Sequence, residues 1–197
     1  AARGYYNSLK GKMSGFNRDP SQLLVLLGLP TIVGRTRQEA KDKFEQLETL
    51  IDPLVGLSLL YRSFGDLAQH PLDGPVPEPV VTESSLRSSA YLYYDLAQKN
   101  GWRIRQLYKK IGMAQEHKTI TGTAQDVVDE MEAWIHSEAT DGFNVTPTHL
   151  PHGIRDFAEF VIPELRRRGL FREEYEGNTL RENLGLPMPA SRYSKRD

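Results

Sequence analysis

Few side chains in this sequence could move protons or bind metals. The chain has five histidines and no cysteine, which excludes disulfides, thiolate chemistry and cysteine-ligated zinc. His149 and His152 lie three residues apart in a segment rich in Pro and Thr, which predicts a loop. This spacing could suit two metal ligands, but nothing else in the sequence provides a third ligand, and a usable site needs several that converge. We therefore expect no metal site.

The stretch from His117 to Pro147 organises the chain. Thr123 is a suitable helix N-cap, because its hydroxyl can accept a hydrogen bond from a free N–H of the first turn. Asp126 then places a negative charge at the positive end of that helix. A turn at residues 141–142 and an apolar run at residues 143–145 follow, so helix, tight loop and strand succeed one another as in an α/β protein. The apolar stripe of the predicted helix contains Val127, Val128, Met131, Trp134 and Ile135.

A second strand is predicted earlier in the chain. Residues 23–33 form a near-continuous apolar segment, which is typical of a strand covered on both faces of a parallel sheet. Pro30 cannot donate a hydrogen bond to a neighbouring strand, so we expect it at an irregularity or near the strand end. Thr36 can cap the helix that follows, and Glu39 completes a capping-box pattern.

The remaining segments read as helices joined by loops. Residues 1–16, 54–69, 84–99 and 154–168 show helical spacing of apolar side chains, with Pro163 expected to kink or restart the last helix and Gly169 to end it. Residues 70–82 contain four prolines and predict a connecting loop, with a lid over a pocket as the alternative. Residues 102–111 predict a short basic helix. Its cations either form a solvated face or belong to one of two helices that together read DNA. Residues 170–197 form a polar tail that wraps along the domain or a neighbouring subunit.

Composition narrows the class of protein. A chain of 197 residues with 39% hydrophobic and 26% charged residues is typical of one globular domain. The net charge of −1 gives no field that would favour nucleic acid or an anionic membrane, and no apolar run is long enough to span a bilayer. The lack of cysteine fits a reducing compartment, so we expect a cytoplasmic protein. Because of its net charge and short apolar runs, we expect neither nucleic-acid nor membrane partners.

Several segments together resemble one family, the bacterial-luciferase-like flavin monooxygenases. The resemblance is to the C-terminal half of the branch that contains nitrilotriacetate and dibenzothiophene-sulfone monooxygenases, and it covers essentially the whole chain. The matching segments are residues 18–20 (RDP), 26–36 (LLGLPTIVGRT), His117 with 121–123 (TGT), 141–144 (DGFN), 162–172 (IPELRRRGLFR), 175–177 (YEG) and 179–186 (TLRENLGL).

This resemblance implies the C-terminal part of a TIM (β/α)8 barrel, α/β in class and helix-rich overall. Such a barrel needs eight strands and roughly 250 residues, so residues 1–197 would be a single partial barrel domain that supplies the final two strands. Residues 54–116 would be a largely helical insertion and residues 170–197 a C-terminal tail. The earlier strands, which carry most flavin and phosphate contacts in the family, are not in this sequence.

The resemblance also implies a reaction and its participants. In the family, a separate flavin reductase supplies reduced FMN, oxygen adds to the flavin to give a peroxide, and this peroxide oxygenates a small organic compound. Active sites of this fold lie at the carboxyl ends of the strands. This expectation points to residues 31–34 and to Asn144, Val145 and Thr146, the last three as cofactor-binding residues. The family uses no metal.

His117 is the candidate catalytic residue, because it matches a histidine that the family places before this helix start, facing the flavin. An imidazole there could donate a hydrogen bond to the peroxide or shuttle a proton; alternatively it only fixes the returning insertion loop. Two other functions stay open. The chain could be a non-catalytic half-barrel remnant that self-associates, or a small nucleic-acid-binding protein. An open edge strand favours a homo-oligomer both for a monooxygenase and for a half-barrel remnant.

Overall fold

The computed structural model describes residues 2–80, 87–114, 119–191 and 193, and its centre is a three-stranded parallel sheet. The strands are β1 (Leu26–Val33), β2 (Ile120–Gly122) and β3 (Gly142–Pro147), in the order β2-β1-β3. β1 pairs with β3 from Leu26 opposite Gly142 onward, and with β2 from Thr31 opposite Ile120. The two predicted strands are therefore adjacent and parallel.

The described part of the chain is helix-rich around this sheet. Four helices belong to the sheet region: α2 (Arg37–Thr49) and α6 (Ala124–His136) follow β1 and β2, and α7 (His152–Asp156) and α8 (Ile162–Arg167) follow β3. The π-helical segment Phe157–Val161 lies between α7 and α8. Single 3-10 turns occupy Met13–Phe16 and Pro20–Gln22. The helices are α1 (Ala2–Gly11), α2 (Arg37–Thr49), α3 (Pro53–Phe64), α4 (Arg87–Asn100), α5 (Ile104–Ala114), α6 (Ala124–His136), α7 (His152–Asp156), α8 (Ile162–Arg167) and α9 (Leu180–Asn183).

One face of the sheet is covered by helices. Leu29 and Val33 of β1 pack against α6 and against the helical segments that follow β3. Burying these aliphatic and aromatic side chains is the main favourable term for this part of the fold. We call this cluster the sheet core; its buried members are Leu29, Val33, Ile120, Val127, Val128, Phe157, Val161 and Leu165.

A separate hydrophobic cluster lies among α3, α4 and α5. Gly56 of α3 lets that helix approach Tyr108 so closely that a Cβ would overlap the aromatic ring. Val76, from the proline-rich loop, is buried in the same cluster, and the Arg105 N–H donates to the Leu72 carbonyl at 2.8 Å. Residues 70–80 are thus a connector fixed to α5, while residues 81–82 lie outside the described ones. We call this cluster the helical core; its buried members are Leu60, Phe64, Leu67, Val76, Tyr93, Ala97, Ile104, Leu107, Tyr108 and Ile111.

The predicted helix caps are present. The Thr36 hydroxyl accepts from the Glu39 N–H at 3.1 Å, but the Glu39 carboxylate accepts from Arg35 rather than from Thr36. At the start of α6 the capping box is reciprocal, because Thr123 and Asp126 each accept from the other's backbone N–H. Such caps satisfy N–H groups that have no partner inside the helix.

The structure corrects several predicted boundaries. β1 begins at Leu26 rather than at residue 23, and helix α3 ends at Phe64, where Gly65 adopts a positive φ of 74°. The predicted N-terminal helix ends at Gly11 and is followed by a 3-10 turn. Pro30 lies inside β1, paired with Thr146, one residue before pairing with β2 begins. Residues 84–86 of the predicted middle helix lie outside the described ones.

Strand β2 was not predicted. It is only three residues long, too short to show an alternating pattern, and its strand conformation depends on pairing with Thr31–Val33. The predicted effect of Pro163 is confirmed: a π-helical segment precedes it and α8 restarts around it. Proline cannot donate the regular helical hydrogen bond, so the helix changes its bonding pattern there. Gly169, with φ of 70°, ends this helix as predicted.

The cationic side chains of the basic helix α5 make contacts with other parts of the protein. Arg105 binds Asp73, with Nε 2.7 Å from Oδ1, and Lys109 lies 3.7 Å from the Glu48 carboxylate. Lys110 sits 5.2 Å above the Phe44 ring centroid. These contacts orient α5 against the rest of the chain rather than leaving a free cationic face. Among the described helices, none is both long and apolar enough to cross a membrane.

Candidate active site

The second face of the sheet carries the predicted polar site residues. Register places Asn144 beside Gly28 and Thr146 beside Pro30, on the face opposite to Leu29. Asn144 and Thr146 are exposed there. The Thr146 hydroxyl donates to the Asn144 carbonyl at 3.3 Å, and the Asn144 amide has no hydrogen-bond partner among the described residues. The Asn144 amide, and the Thr146 hydroxyl oxygen as an acceptor, are thus available to a ligand on this face.

Val145 points the other way. Its side chain packs against the sheet core with Phe143, because successive side chains of a strand alternate between faces. The part of Val145 that could reach a ligand beside Asn144 is therefore its backbone. Thr121 of β2 pairs with Ile32, which places it on the same face as Asn144, and it is exposed.

The carboxyl end of β1 is more closed than its sequence suggests. Thr31, Val33 and Gly34 are all buried. A Cβ on Gly34 would lie 2.5 Å from the Ala40 nitrogen, so the first turn of α2 covers this strand end. The Thr31 hydroxyl has no hydrogen-bond partner within the described part of the chain. Of the two predicted strand ends, the end of β3 is the more accessible.

Two ion pairs that the sequence did not predict surround this edge of the sheet. Arg37 of α2 forms a bidentate ion pair with Asp126 of α6, with Nη2 2.6 Å from Oδ1 and Nε 3.0 Å from Oδ2. Hydrogen bonds from Arg37 and from the Thr123 N–H hold the pKa of Asp126 well below its usual range. Lys43 of α2 contacts Asp156 at the end of α7, 2.8 Å away. No local pattern could find these pairs, because their partners lie 89 and 113 residues apart.

Lys43 is the most heavily hydrogen-bonded cation of this edge. Its ammonium donates to the Val33 carbonyl at 2.9 Å and also contacts Glu39 at 3.0 Å. Burial disfavours its charge, but the hydrogen bonds to Asp156 and Glu39 outweigh this and raise the pKa of Lys43. Lys43 is therefore charged at neutral pH and joins α2, β1 and α7.

The loop after β3 brings two histidines together. We call residues 148–152 the rim loop. The rings of His149 and His152 stack with centroids 6.3 Å apart and planes 19° apart, and the Thr148 hydroxyl lies 3.3 Å from His149 Nδ1. Across the ranges that the structure describes, no group of three or more His, Asp or Glu side chains could hold a metal ion.

The predicted catalytic residue His117 lies outside the described residues. The nearest described residue is Thr119, which leads directly into β2. The structure therefore gives no position for the His117 side chain, and its role stays a prediction.

Asp141 has a structural role at the opposite edge of the sheet. Its carboxylate accepts from the Val25 N–H and the Tyr6 hydroxyl, each at 2.7 Å, and pairs with Lys10 at 3.0 Å. Burial raises the pKa of Asp141, but these hydrogen bonds outweigh it and lower the pKa. This contact fixes α1 to the amino ends of β1 and β3, away from the candidate site.

Known proteins resemble the chain over its whole length. Nitrilotriacetate monooxygenase component A from Aminobacter aminovorans is 40% identical over 195 residues, 98% of this chain and 43% of that protein. N-acetyl-S-(2-succino)cysteine monooxygenase from Bacillus subtilis is 38% identical over 99% of this chain and 45% of that protein. Dibenzothiophene-sulfone monooxygenase from Rhodococcus erythropolis is 29% identical over 93% of this chain and 42% of that protein. No protein-family model matches the chain.

The fold agrees with these sequence matches. The crystal structure of DmoA from Hyphomicrobium sulfonivorans superposes with a TM-score of 0.76 and 26% identity, over 93% of this chain and 38% of that chain. The chain spans less than half the length of the curated relatives that it matches. The family resemblance predicted from the motifs is confirmed: the chain is homologous to the luciferase-like monooxygenases of the nitrilotriacetate and dibenzothiophene-sulfone branch.

Proposed function

We propose that this chain is the C-terminal portion of a two-component monooxygenase that uses reduced FMN to oxygenate a small organic compound. The observation that carries this proposal is the pair of exposed polar residues, Asn144 and Thr146, on the face of a parallel sheet opposite to the sheet core. In a (β/α)8 barrel the helices lie outside and the active site lies at the carboxyl ends of the strands. The described residues supply three strands, so the other five would come from outside them.

The residues present fit a flavin. A flavin ring needs a flat surface and a few hydrogen-bonding groups, and Asn144 provides both a donor and an acceptor. Gly28, its register neighbour on β1, has no side chain to block a ring. Asn144, Thr146 and the backbone of Val145 would hold the cofactor, and reduced FMN would supply the activation of molecular oxygen.

The tasks of this chain's own residues follow from that placement. Asn144 and Thr146 would orient the ring by hydrogen bonds, and the sheet would exclude water from one side of it. His117 would donate a hydrogen bond or carry a proton near the reacting atoms, because an imidazole can do both near neutral pH. These residues would therefore hold the cofactor, orient its ring or transfer a proton.

The wider organisation is part of the same proposal. Residues 1–197 would form a single partial barrel domain, with residues 54–116 as an insertion and residues 170–197 as the tail. The helical core supports this division, because α3, α4 and α5 bury side chains among themselves apart from the sheet core. The designation "component A" of the Aminobacter relative supports a partner protein, which we propose to be a flavin reductase.

A non-catalytic remnant is the second candidate. Within the described ranges β2 and β3 each pair with β1 alone, which leaves two sheet edges open. Open edges favour pairing with another chain. A half-barrel that self-associates and binds no flavin would use these edges to form a homo-oligomer.

Flavin titration of the purified chain separates the two candidates. Oxidised FMN is added while its fluorescence is followed, and we expect saturable quenching. Asn144→Ala combined with Thr146→Val should weaken binding by about thirtyfold, because each of the two lost hydrogen bonds contributes about 1 kcal/mol. Asn7→Ala, an exposed amide on α1, is the matched control and should bind like the parent chain.

One outcome would reject flavin binding by this chain in isolation, and a second would reject the proposed site. A folded chain that leaves flavin fluorescence unchanged, and that sediments as an oligomer, would favour the remnant. Quenching that persists unchanged in the double variant would remove Asn144 and Thr146 from the site. The intact mass of the protein in its source cells, compared with the 22.4 kDa of this chain, would show whether further strands belong to the same polypeptide.

A further inference from the structure

Lys43 has all three of its ammonium protons engaged. It donates to the Val33 carbonyl at 2.9 Å, contacts Asp156 at 2.8 Å and contacts Glu39 at 3.0 Å. An ammonium has three donors, so no donor is left for a ligand. The side chain is 28% exposed and that of Asp156 is 17% exposed, so water screens this pair less than a surface pair. Lys43 therefore acts on the structure around it rather than on a substrate.

Two of the three partners lie outside α2. Val33 is the last residue of β1, and Asp156 is the last residue of α7. Glu39, the third partner, lies one turn away in α2 itself. Within the ranges described, these carboxylates and Arg35, which is near Glu39, are the charged groups that face Lys43. The ammonium thus joins the carboxyl end of the central strand to the helix that follows β3.

The position of α7 determines the position of the rim loop. The Gly153 N–H donates to the His149 carbonyl at 3.0 Å, and the Arg155 N–H donates to the Pro151 carbonyl at 3.2 Å. A Cβ on Gly153 would lie 3.3 Å from His149 Nδ1, so backbone and imidazole are in close contact. The stacked rings of His149 and His152 are therefore linked to α7 by backbone hydrogen bonds and direct contact.

We propose that Lys43 is a positioning residue: through Asp156 it holds the rim loop, with its paired imidazoles, at the carboxyl end of β3. Without the ammonium, Asp156 would be a partly buried carboxylate with no cation beside it, and α7 would lose its bond to β1. The rim loop follows Pro147 directly, one residue beyond Thr146. If the proposed flavin site is correct, Lys43 sets one wall of that site without touching the cofactor.

Amide hydrogen exchange tests this role without any flavin. In Lys43→Met, the Gly153 and Arg155 amides should exchange about tenfold faster, because local opening of α7 costs less free energy. The amides of Val127 and Val128, in the sheet core, should keep their rates. Lys43→Arg should restore much of the protection, because guanidinium also binds carboxylates.

Lys41→Met is the matched control. Lys41 lies on the same helix and pairs with Glu45 at 3.5 Å, but this pair is exposed and within one helix. It should leave the exchange of Gly153 and Arg155 unchanged. The imidazole NMR signals of His149 and His152 should shift in Lys43→Met and not in Lys41→Met.

Unchanged exchange at Gly153 and Arg155 in Lys43→Met would overturn the proposal. An equal increase at Val127 and Val128 would also count against it, since Lys43 would then stabilise the whole fold rather than the rim loop. Both results can be obtained from a chain that binds no flavin, so failure of the flavin titration and failure of this inference are separate outcomes.

Discussion

Arg37 and Asp126 join the first turns of two helices through a bidentate contact. Arg37 Nη2 lies 2.6 Å from Asp126 Oδ1, and Arg37 Nε lies 3.0 Å from Oδ2. The same carboxylate accepts from the Thr123 N–H at 3.0 Å. Asp126 therefore both caps α6 and links it to α2 at the carboxyl edge of the sheet. The cap is local in sequence, whereas the link to Arg37 depends on the fold.

These two roles of Asp126 should differ in their effect on stability. We expect Asp126→Ala to lower the free energy of unfolding by about 1 kcal/mol, because it removes the Asp126 half of the capping box, the negative charge at the start of α6 and the contact with Arg37. Arg37→Ala should cost less, because the Arg37 side chain is 81% exposed and solvent screens exposed ion pairs. Urea denaturation at neutral pH measures both values. A larger loss in Arg37→Ala than in Asp126→Ala would contradict this order.

Glu164 should contribute to the loss of stability in acid. Hydrogen bonds from Arg167 and Arg168 lower the pKa of Glu164 from 4.5 to about 2. A carboxylate whose pKa is lower in the folded state stabilises the fold fully above its unfolded pKa, and loses this contribution as pH falls through the folded value. The urea midpoint of the parent chain should therefore fall between about pH 4.5 and 2.

Glu164→Gln should make this decline shallower, because the variant has no carboxylate to protonate at that position. Glu159→Gln is the control, since Glu159 lies exposed in the preceding helical segment and has no ion pair within the described ranges. Identical acid profiles for the parent chain and Glu164→Gln would show that the Arg167 and Arg168 contacts do not form in solution.

Gly56 and Gly4 should respond in opposite ways to the same substitution. Both lie in helices, where alanine is favoured over glycine by about 1 kcal/mol. At Gly56 a methyl group would overlap the ring of Tyr108, which is buried, and overpacking of this kind costs about 1–3 kcal/mol. At Gly4 nothing lies within 4 Å of the added carbon.

We therefore expect Gly56→Ala to lower the melting temperature and Gly4→Ala to raise it slightly. Thermal denaturation followed by circular dichroism measures both changes. If Gly56→Ala were as stable as the parent chain, α3 and α5 would be packed less tightly than the structure indicates.

Asp141 should control the docking of α1. In Asp141→Asn the ammonium of Lys10 loses its anionic partner, and the hydrogen bond from Tyr6 becomes weaker because its acceptor is neutral. Amides of α1 should exchange faster with solvent, while those of α6 should not change. Asp42→Asn is the control, because Asp42 is an exposed carboxylate of α2 that accepts from Gln38. If the α1 amides exchanged at the same rate in Asp141→Asn as in Asp42→Asn, Asp141 would not be the contact that fixes α1.

His117 requires a functional assay. His117→Asn in a full-length enzyme should lower oxygenation while leaving folding intact, because asparagine can hydrogen-bond but cannot exchange a proton near neutral pH. His136→Asn, at the exposed end of α6, should keep normal turnover. Unchanged oxygenation in His117→Asn would remove this residue from the proposed site.

The sequence by itself determined the local features of the structure. Thr36 and Thr123 cap helices as predicted, and Pro163 and Gly169 act where they were expected. Each of these features depends on hydrogen bonds or dihedral angles within a few residues, so a short pattern is sufficient to predict it. The adjacency of the two apolar strands followed from the family resemblance and not from local pattern.

Only the tertiary structure decided which side chains meet. β2 is a strand because it pairs with β1, Val145 faces the sheet core because of the register, and Lys43 meets Asp156 although 113 residues separate them. Such contacts depend on the relative placement of whole elements, which the burial of the sheet core stabilises. A local sequence pattern carries no information about this placement, so the Lys43–Asp156 ion pair and the exposed polar face of β3 appear only in the folded chain.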